Sequence, residues 1–286
     1  MKANKKRSIR KNITALSVVS TLVLSIAALA VIFPLIWVFL TSLKTNKDFY
    51  ANVWGLPKEW MWSNYVRAWE KANIGQASIN SIIVTLSSLA LGLTCSTTTA
   101  YVLARFKFRF RGLLRGVYLA AIMVPSIISL IPQYFQLINL NMLDSQLGLI
   151  LVYALSSLPF ASFILYGFFL TLPHEIEEAA LMDGAGYSRT FFQIMLPLAQ
   201  PGIVTVLVIN FIDYWNEYFK AMTYISTPQK FTIPVGLVVF TQQSQYRIDW
   251  GALMASNIIL IVPTMIVYMV FQNSIQKGLT AGAVKG

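Results

Sequence analysis

The sequence predicts an all-α membrane protein with six transmembrane helices and one short helix in a cytoplasmic loop. Hydrophobic residues make up 56% of the 286 residues, and charged residues make up only 12%. A soluble domain contains roughly twice that share of charged residues. The apolar residues also form long blocks, and a helix needs about 20 such residues to cross the hydrocarbon core of a bilayer. These observations together predict an integral membrane protein.

Six apolar blocks are long enough to span the membrane. They cover residues 14–43, 78–103, 117–138, 147–170, 201–222 and 252–271. The first block follows a basic tail, residues 1–13, and this order of a basic and then an apolar segment also occurs in secretory signal peptides. Its apolar run continues through Leu40, far beyond the apolar part of a signal peptide, so we interpret it as a retained helix. Pro125 and Pro132 in the third block and Pro263 in the sixth predict kinks.

The basic residues assign the loops to the two sides of the membrane. With six crossings, fourteen Lys and Arg residues fall on the side of the two termini, and seven fall on the other side. Cytoplasmic loops of membrane proteins are enriched in Lys and Arg. We therefore expect cytoplasmic termini and cytoplasmic loops at residues 105–115 and 171–200. The same enrichment accounts for the net charge of +11 without nucleic acid binding.

The residue types present disfavour several classes of site. The single cysteine, Cys95, cannot form an intrachain disulfide. The single histidine, His174, has no neighbouring Cys, so we expect no metal site. The sequence contains no phosphate-loop motif, and Gly184-Ala185-Gly186 lacks the third glycine of a nucleotide fingerprint. We therefore expect no cofactor and no enzymatic activity in this chain, with any ATP bound by another polypeptide.

Two long segments are predicted on the outer side, residues 44–77 and 226–250. The first segment contains four tryptophans, at positions 54, 60, 62 and 69. Because tryptophan is enriched at membrane interfaces, we interpret them as interfacial anchors, with contact to an external partner as the alternative. No internal repeat or soluble domain is visible, so we expect a single transmembrane domain over residues 1–286.

The loop over residues 171–200 is acidic, which is unusual beside the basic cytoplasmic segments. Its only basic residue is Arg189, and its acidic residues are Glu175, Glu177, Glu178 and Asp183. This acidity favours contact with a basic protein partner. Ala179 and Ala180 leave a surface beside Glu178 that such a partner can approach closely.

The same loop contains the signals of a short helix followed by a turn. Pro173 suits the first turn of a helix, where its missing N–H costs nothing. Gly184 and Gly186 can adopt positive φ and end that helix. A second helical stretch is expected from Tyr187 to Met195, before Pro197 interrupts the backbone again.

This loop resembles the signature segment of binding-protein-dependent ABC importer permeases. The matching residues, separated by three and by nine positions, are Glu178-Ala179-Ala180, Gly184 and Ile194-Met195-Leu196-Pro197. The chain is also similar to the carbohydrate-uptake branch of these permeases, including the smaller maltose permease subunit. That similarity is carried by residues 41–44, 100–101, 104–105, 215–217 and 278–286.

The resemblance implies that the loop forms a coupling helix, which docks in a groove of a separate ATPase subunit. Glu178 would then pair with a basic ATPase residue, and Gly184 would permit the turn. The other coupling positions that the motif implies are Ala179, Ala180, Ile194, Leu196 and Pro197. The implied partners are a homologous permease, an ATPase dimer that binds ATP, an extracytoplasmic solute-binding protein, a sugar and membrane lipid. The implied location is a bacterial cell membrane.

The fifth predicted helix carries a polar stripe. Its members are Asn210, Asp213, Asn216, Glu217 and Lys220. At about 100° per residue they fall within an arc of roughly 120°, with Trp215 on the opposite side. Ionisable groups inside a membrane generally face a cavity or the interior of a bundle. We therefore expect Asn210, Asp213, Asn216 and Glu217 to line the substrate pathway. The alternatives are hydrogen bonds between two permease subunits and a Glu217–Lys220 ion pair.

Three alternatives to sugar import stay open. The chain could be a permease of the same class for a solute other than a sugar. A proton-coupled secondary transporter would use Asp213 and Glu217 as its proton relay, but it predicts inverted repeats that the sequence does not show. A membrane scaffold without transport activity is the third alternative.

Overall fold

The computed structural model describes residues 2–70, 73–243 and 248–283, with the backbone alone for residues 2–16, 243 and 274–283. The predicted all-α class is confirmed, because these residues form helices and no strand. The α-helices are α1 (Lys2–Ser42), α2 (Asn46–Ala51), α3 (Ser63–Glu70), α4 (Ile74–Arg105), α5 (Arg111–Met123), α6 (Leu130–Asn139), α7 (Gln146–Thr171), α8 (His174–Met182), α9 (Tyr187–Thr190), α10 (Leu196–Leu198), α11 (Gln200–Trp215), α12 (Phe219–Tyr224), α13 (Ile233–Gln243) and α14 (Trp250–Ala283).

Within the described part of the chain, four helical segments are long and apolar enough to cross a membrane by themselves. They are Ser17–Ser42, Ile74–Arg105, Gln146–Thr171 and Trp250–Asn273. These segments correspond to the first, second, fourth and sixth predicted spans, with boundaries that differ by a few residues. The number of spans rises to six only if two further bent helix pairs each cross once.

The third and fifth predicted spans are not single continuous helices, and the kink predicted at Pro125 is confirmed as a sharp bend. Arg111–Met123 and Ser126–Asn139 meet at 99°, because Val124 is extended before Pro125 and the helix cannot continue through that proline. Tyr187–Leu198 and Gln200–Trp215 meet at 72°. The helix expected to end near residue 222 ends at Trp215, before the separate short helix α12.

The outer segment expected over residues 226–250 is also wrong as a loop, since it contains α13. The N–H of Ile233, the first residue of α13, donates to the Ser81 hydroxyl of α4 at 2.9 Å. Gly236 lies against Ala77 of α4, where an added Cβ would be 3.4 Å away. An apolar helix of 11 residues is too short to span a bilayer, so periodicity alone did not reveal it.

The chain forms two compact units. The first comprises residues 1–68 and 244–258. In this unit the ammonium group of the buried Lys44 donates to the carbonyls of Asn52 and Val53 at 2.9 and 3.2 Å. The buried Asn64 amide donates to the Ser42 and Lys44 carbonyls at 2.7 and 2.8 Å. These bonds satisfy polar groups that α1 and its neighbouring loop would otherwise bury unpaired.

The second unit comprises residues 69–243 and 259–286. Within it α4 and α7 pack along each other, and α11 packs against both. Small side chains on α4 and α7, including Ala100, Ala104 and Ala161, are fully or almost fully buried and allow the close approach. That the whole chain acts as a single transmembrane domain stays a prediction.

Asp144, in the connection before α7, forms hydrogen bonds and an ion pair with the segment after α12. Its carboxylate accepts bonds from the Thr227 hydroxyl at 2.5 Å and from the Ser226 and Thr227 N–H groups at 2.9 Å each. The Lys230 ammonium lies 3.1 Å away. The hydrogen bonds from Thr227, supported by Ser226 and Lys230, hold the pKa of Asp144 well below its usual range.

Candidate coupling site and polar helix face

The acidic loop forms the short helix α8, His174–Met182. Pro173 precedes its first residue with φ −60° and ψ 139°, one position before the predicted place inside the first turn. Glu175 and Glu177 lie in the first turn, where the positive end of the helix dipole favours carboxylates. The predicted short helix is therefore present, although none of the described side chains caps its first turn.

The turn after α8 depends on Gly184. Its φ is +82°, a left-handed conformation that glycine adopts without strain. The Ala185 N–H donates to the Ala180 carbonyl at 3.0 Å, and the Gly184 N–H donates to the Leu181 carbonyl at 3.1 Å. This pair of bonds forms a Schellman motif, which ends the helix and reverses the chain. The same expectation for Gly186 is wrong, since its φ is −71° and it precedes α9 in an extended conformation.

The surface of α8 is divided between an exposed and a buried side. Glu178 and Ala179 are exposed, whereas Ala180 is buried. Met182 is 87% exposed and lies one turn after Glu178, so the two side chains share a face. Of the two alanines predicted to leave room for a partner beside Glu178, only Ala179 is at the surface. Met182, which shares this surface, was not predicted from the sequence. The signal available in the sequence was a large apolar residue four positions after Glu178 in a polar loop.

Arg105, the last residue of α4, anchors the beginning of α8. Its Nη2 donates to the Leu172 carbonyl at 2.8 Å, and its Nε lies 3.2 Å from Glu177 Oε2. The Arg105 and Glu177 side chains are only 3% and 12% exposed. Its Nη1 lies 3.0 Å from His174 Nδ1, which must accept because a guanidinium only donates.

We name this set of contacts the Arg105 anchor, consisting of Arg105, Leu172, His174 and Glu177. The sequence analysis used Arg105 as a basic loop residue and as part of the family resemblance, and Glu177 as an acidic loop residue, and it missed their pairing, which joins positions 72 residues apart. Because Glu177 is used inside the protein, Glu175 and Glu178 are the carboxylates of α8 that remain exposed, and Glu178 is the one within the motif.

The second half of the motif is mostly internal. Ile194 and Leu196 pack, partly buried, against the cluster of buried side chains that contains Tyr101 and Phe191. Met195 between them is fully buried, within a π-helical turn. Pro197 is exposed in α10, directly before the 72° bend. Ile194 and Leu196 therefore contribute to the packing of α4, α7 and the segment before α11, rather than to an exposed surface.

The polar stripe of α11 is also divided. Asp213 and Asn216 are exposed, whereas Asn210 is buried. The Asn210 Nδ2 group has no hydrogen-bond partner among the described residues. Trp215 is buried, and its ring N–H donates to the Leu260 carbonyl at 2.9 Å. This places Trp215 on the inner side of the helix, as the periodicity predicts.

Glu217 forms hydrogen bonds within the protein. Its carboxylate accepts from the N–H groups of Lys220 and Ala221 at 2.9 and 3.0 Å, at the start of α12. It also accepts from the Tyr153 hydroxyl of α7 at 2.9 Å. Glu217 therefore caps α12 and ties it to α7, and its contact with Lys220 is through the backbone. The polar residues of the stripe therefore do not form one continuous surface. Asp213 and Asn216 are exposed, whereas Glu217 is bonded within the protein.

A sequence profile decides the family. The profile described as "Binding-protein-dependent transport system inner membrane component" matches residues 92–281. The chain belongs to this family of permeases. The matched region includes the Arg105 anchor, α8, the Gly184 turn and all of α11. The predicted resemblance is confirmed.

Curated relatives and solved structures agree with this assignment. The permease is 39% identical to the diacetylchitobiose uptake system permease protein NgcG of Streptomyces coelicolor, over 93% of this chain and 88% of that protein. It is 35% identical to the trehalose transport system permease protein SugB of Mycobacterium tuberculosis, over 94% of this chain and 97% of that protein.

A solved structure supports the fold of the permease independently. The structure is a bacterial ABC transporter involved in the import of the acidic polysaccharide alginate, and its matching chain is similar with a TM-score of 0.81. The match covers 90% of this chain and 95% of that chain at 23% identity, so it supports the fold alone. The permease is therefore an inner-membrane component with several apolar helices.

Proposed function

We propose that the permease forms half of the translocation pathway of an ATP-driven carbohydrate importer and that α8 couples this pathway to a separate ATPase. The observation that carries the proposal is the exposed face of Glu178, Ala179 and Met182 on a helix held by the Arg105 anchor. A short helix with a fixed base and an exposed carboxylate is suited to dock in a basic cleft.

The carbohydrate class is supported by the relatives. Their names specify diacetylchitobiose, sulfoquinovosyl glycerol and trehalose. Each of these relatives aligns over at least 85% of its own length, so the similarity extends over whole permeases. A non-sugar solute is the alternative within the same class. Uptake of labelled sugars by the assembled transporter distinguishes the two.

The coupling follows from differential affinity. In our proposal the ATPase dimer binds ATP, and the permease itself is not an enzyme and needs no cofactor. If α8 binds one state of the ATPase more tightly than the other, that difference in binding free energy favours one position of α8. The Arg105 anchor links the position of α8 to that of α4. Ile194 and Leu196 of the same motif pack inside the second unit, against the cluster that contains Tyr101 of α4.

We place α8 and both termini in the cytoplasm, since the basic residues are concentrated on that side. An extracytoplasmic solute-binding protein would deliver the sugar on the other side. A solved alginate transporter, in complex with a periplasmic protein carrying an alginate pentasaccharide, supports such a partner; its matching chain has a TM-score of 0.65. A homologous permease would complete the pathway, with Asp213 and Asn216 at its wall.

The test uses the special backbone of Gly184. An L-residue in the left-handed region costs about 1–2 kcal/mol, and a β-branched residue costs most. Space is not the obstacle, because an added Cβ would have no neighbour within 4 Å. We expect Gly184→Val to abolish most ATP-dependent uptake with the permease still in the membrane. The matched control is Gly184→Asn, because asparagine tolerates this conformation and should keep most uptake.

The same assay separates the competing functions. Undiminished ATP-dependent uptake by Gly184→Val contradicts the coupling role of this turn. Uptake that persists without ATP and stops when a proton gradient is dissipated would instead identify a secondary transporter. Absence of any uptake by the wild-type assembly with all partners present favours a scaffold.

A further inference from the structure

A groove in the second unit is not explained by solute transport. It lies between the end of α4, the beginning of α5 and the middle of α7, and it has a volume of about 200 Å³. Its apolar lining includes Leu103, Leu119 and Phe163. Leu103 lies two residues before the end of the apolar span Ile74–Arg105. The groove is therefore at the level where a membrane helix leaves the hydrocarbon core.

Polar groups line one part of this groove. The Arg115 Nη1 donates to the Tyr166 hydroxyl at 2.7 Å, and the guanidinium carbon lies 5.5 Å from the centre of the Tyr166 ring. A guanidinium has five N–H donors, so this bond leaves capacity for an anion. Ser162 is only 1% exposed, and its hydroxyl has no hydrogen-bond partner among the described residues. An occupant with acceptor atoms could bond to the remaining donors of the exposed Arg115.

The segment that connects α4 to α5 and continues through α6 carries charge of a single sign. Residues 105–143 contain five basic residues and no acidic residue. Two of the five are used internally: Arg105 pairs with Glu177, and Arg111 donates to the Leu103 carbonyl at 2.8 Å and to the Ala104 carbonyl at 3.3 Å. Arg115 is exposed and lines the groove. The local field therefore favours an anionic occupant.

We propose that this groove binds an anionic phospholipid, with its phosphate at Arg115 and part of an acyl chain along Leu103, Leu119 and Phe163. A molecule with an apolar part and an anionic part matches the two halves of the lining. Basic pockets between membrane helices commonly bind anionic headgroups at this level. The bound lipid would brace α5 against α4 and α7, next to the residue from which the Arg105 anchor extends.

The test measures lipid retained by the purified full-length permease in native mass spectrometry. Detergent-solubilised protein is titrated with phosphatidylglycerol and, in parallel, with phosphatidylcholine of the same acyl chains. We expect at least about 5-fold preference for phosphatidylglycerol. Arg115→Gln should remove that preference. The matched control is Arg109→Gln, which removes the same charge from the connection just before α5, at a residue that does not line the groove.

A second variant tests the apolar half. Leu119 is 47% exposed, so Leu119→Trp can fill the groove with little risk to folding. We expect this variant to lose phosphatidylglycerol although every charge is intact. A thermal melt of each variant shows whether the fold is retained, and retained lipid in a folded Leu119→Trp variant would overturn the proposal.

Three other results would overturn the proposal. Equal losses in Arg115→Gln and Arg109→Gln would show general attraction to a basic surface. Displacement of the lipid by millimolar inorganic phosphate would assign the site to a free anion. Loss of the lipid on assembly with the second permease would assign the groove to that subunit. Because solute uptake is not measured, a failure of the proposed transport function leaves this result interpretable.

Discussion

Two regions of the permease use their charged residues in the same divided way. In α8, Glu177 is buried against Arg105, and the adjacent Glu178 is exposed. At the end of α11, Glu217 caps α12, and Asp213 one turn earlier is exposed. In each pair one carboxylate holds the fold together and the other remains available. Motif membership and polarity alone therefore do not tell which carboxylate recognises a partner.

The two regions differ in how the internal carboxylate is satisfied. Glu177 depends on a buried ionic partner 72 residues away in the chain, whereas Glu217 depends chiefly on neutral donors, two of them three and four residues ahead. Removing one member of a buried ion pair leaves the other charge uncompensated. The region around α8 should consequently be far more sensitive to a single substitution than the region around α12.

The largest effect is expected for Arg105→Gln. The substitution leaves Glu177 buried without its cation, at a cost of about 3–5 kcal/mol. Since about 1.4 kcal/mol changes an equilibrium tenfold, we expect ATP-dependent uptake in proteoliposomes to fall by at least about 100-fold. The double variant Arg105→Gln with Glu177→Gln removes both charges and should regain part of this loss. Wild-type uptake by the single variant would show that the anchor does not position α8.

The next effect is expected for Glu178→Gln, and it should appear in partner binding rather than in folding. Glu178 is exposed, so we expect an unchanged thermal melting temperature. Loss of one charged hydrogen bond to an ATPase should weaken binding by about tenfold, or about 1.4 kcal/mol. The measurement is the affinity of purified ATPase for reconstituted permease. Asp183→Asn makes the same charge change just after the helix and serves as the control.

Glu217→Gln and Asp213→Asn test the same division in α11. Glu217→Gln weakens bonds to α7 and α12 and should destabilise the permease by about 1–2 kcal/mol. For a protein of this size the melting temperature should fall by about 2–8 °C. Asp213→Asn should leave the melting temperature unchanged and raise the KM for uptake several-fold. The reverse pattern would contradict the assignment of Asp213 to the pathway.

The smallest effect is expected at Asp144, through pH. Its pKa is lowered in the folded protein, so its carboxylate contributes stability above the unfolded value of about 3.9. This contribution declines as the pH falls below that value. We expect Asp144→Asn to lower the melting temperature by a few degrees at pH 7, because a partly exposed pair contributes about 1 kcal/mol or less. The difference between variant and wild type should shrink towards pH 3, and a difference that grows there would contradict this sign.

Several features followed from the sequence alone. Composition and block length determined the all-α membrane class and located the first, second, fourth and sixth spans within a few residues. The spacing of the motif around Glu178 and Gly184 identified the family, and local backbone chemistry predicted the Gly184 turn. These features depend on neighbours in the chain, which is why hydropathy and turn rules recover them.

Only the tertiary structure decided the remaining features. It broke the third and fifth spans, folded residues 233–243 into a helix and buried Glu177 rather than Glu178. It also assigned Glu217 to the cap of α12 and left Asp213 exposed. Each of these outcomes depends on which distant side chain reaches a given position, such as Arg105 at the end of α4 or Tyr153 on α7. Adjacent carboxylates are chemically equal in the sequence, and only packing in three dimensions makes one internal and the other free.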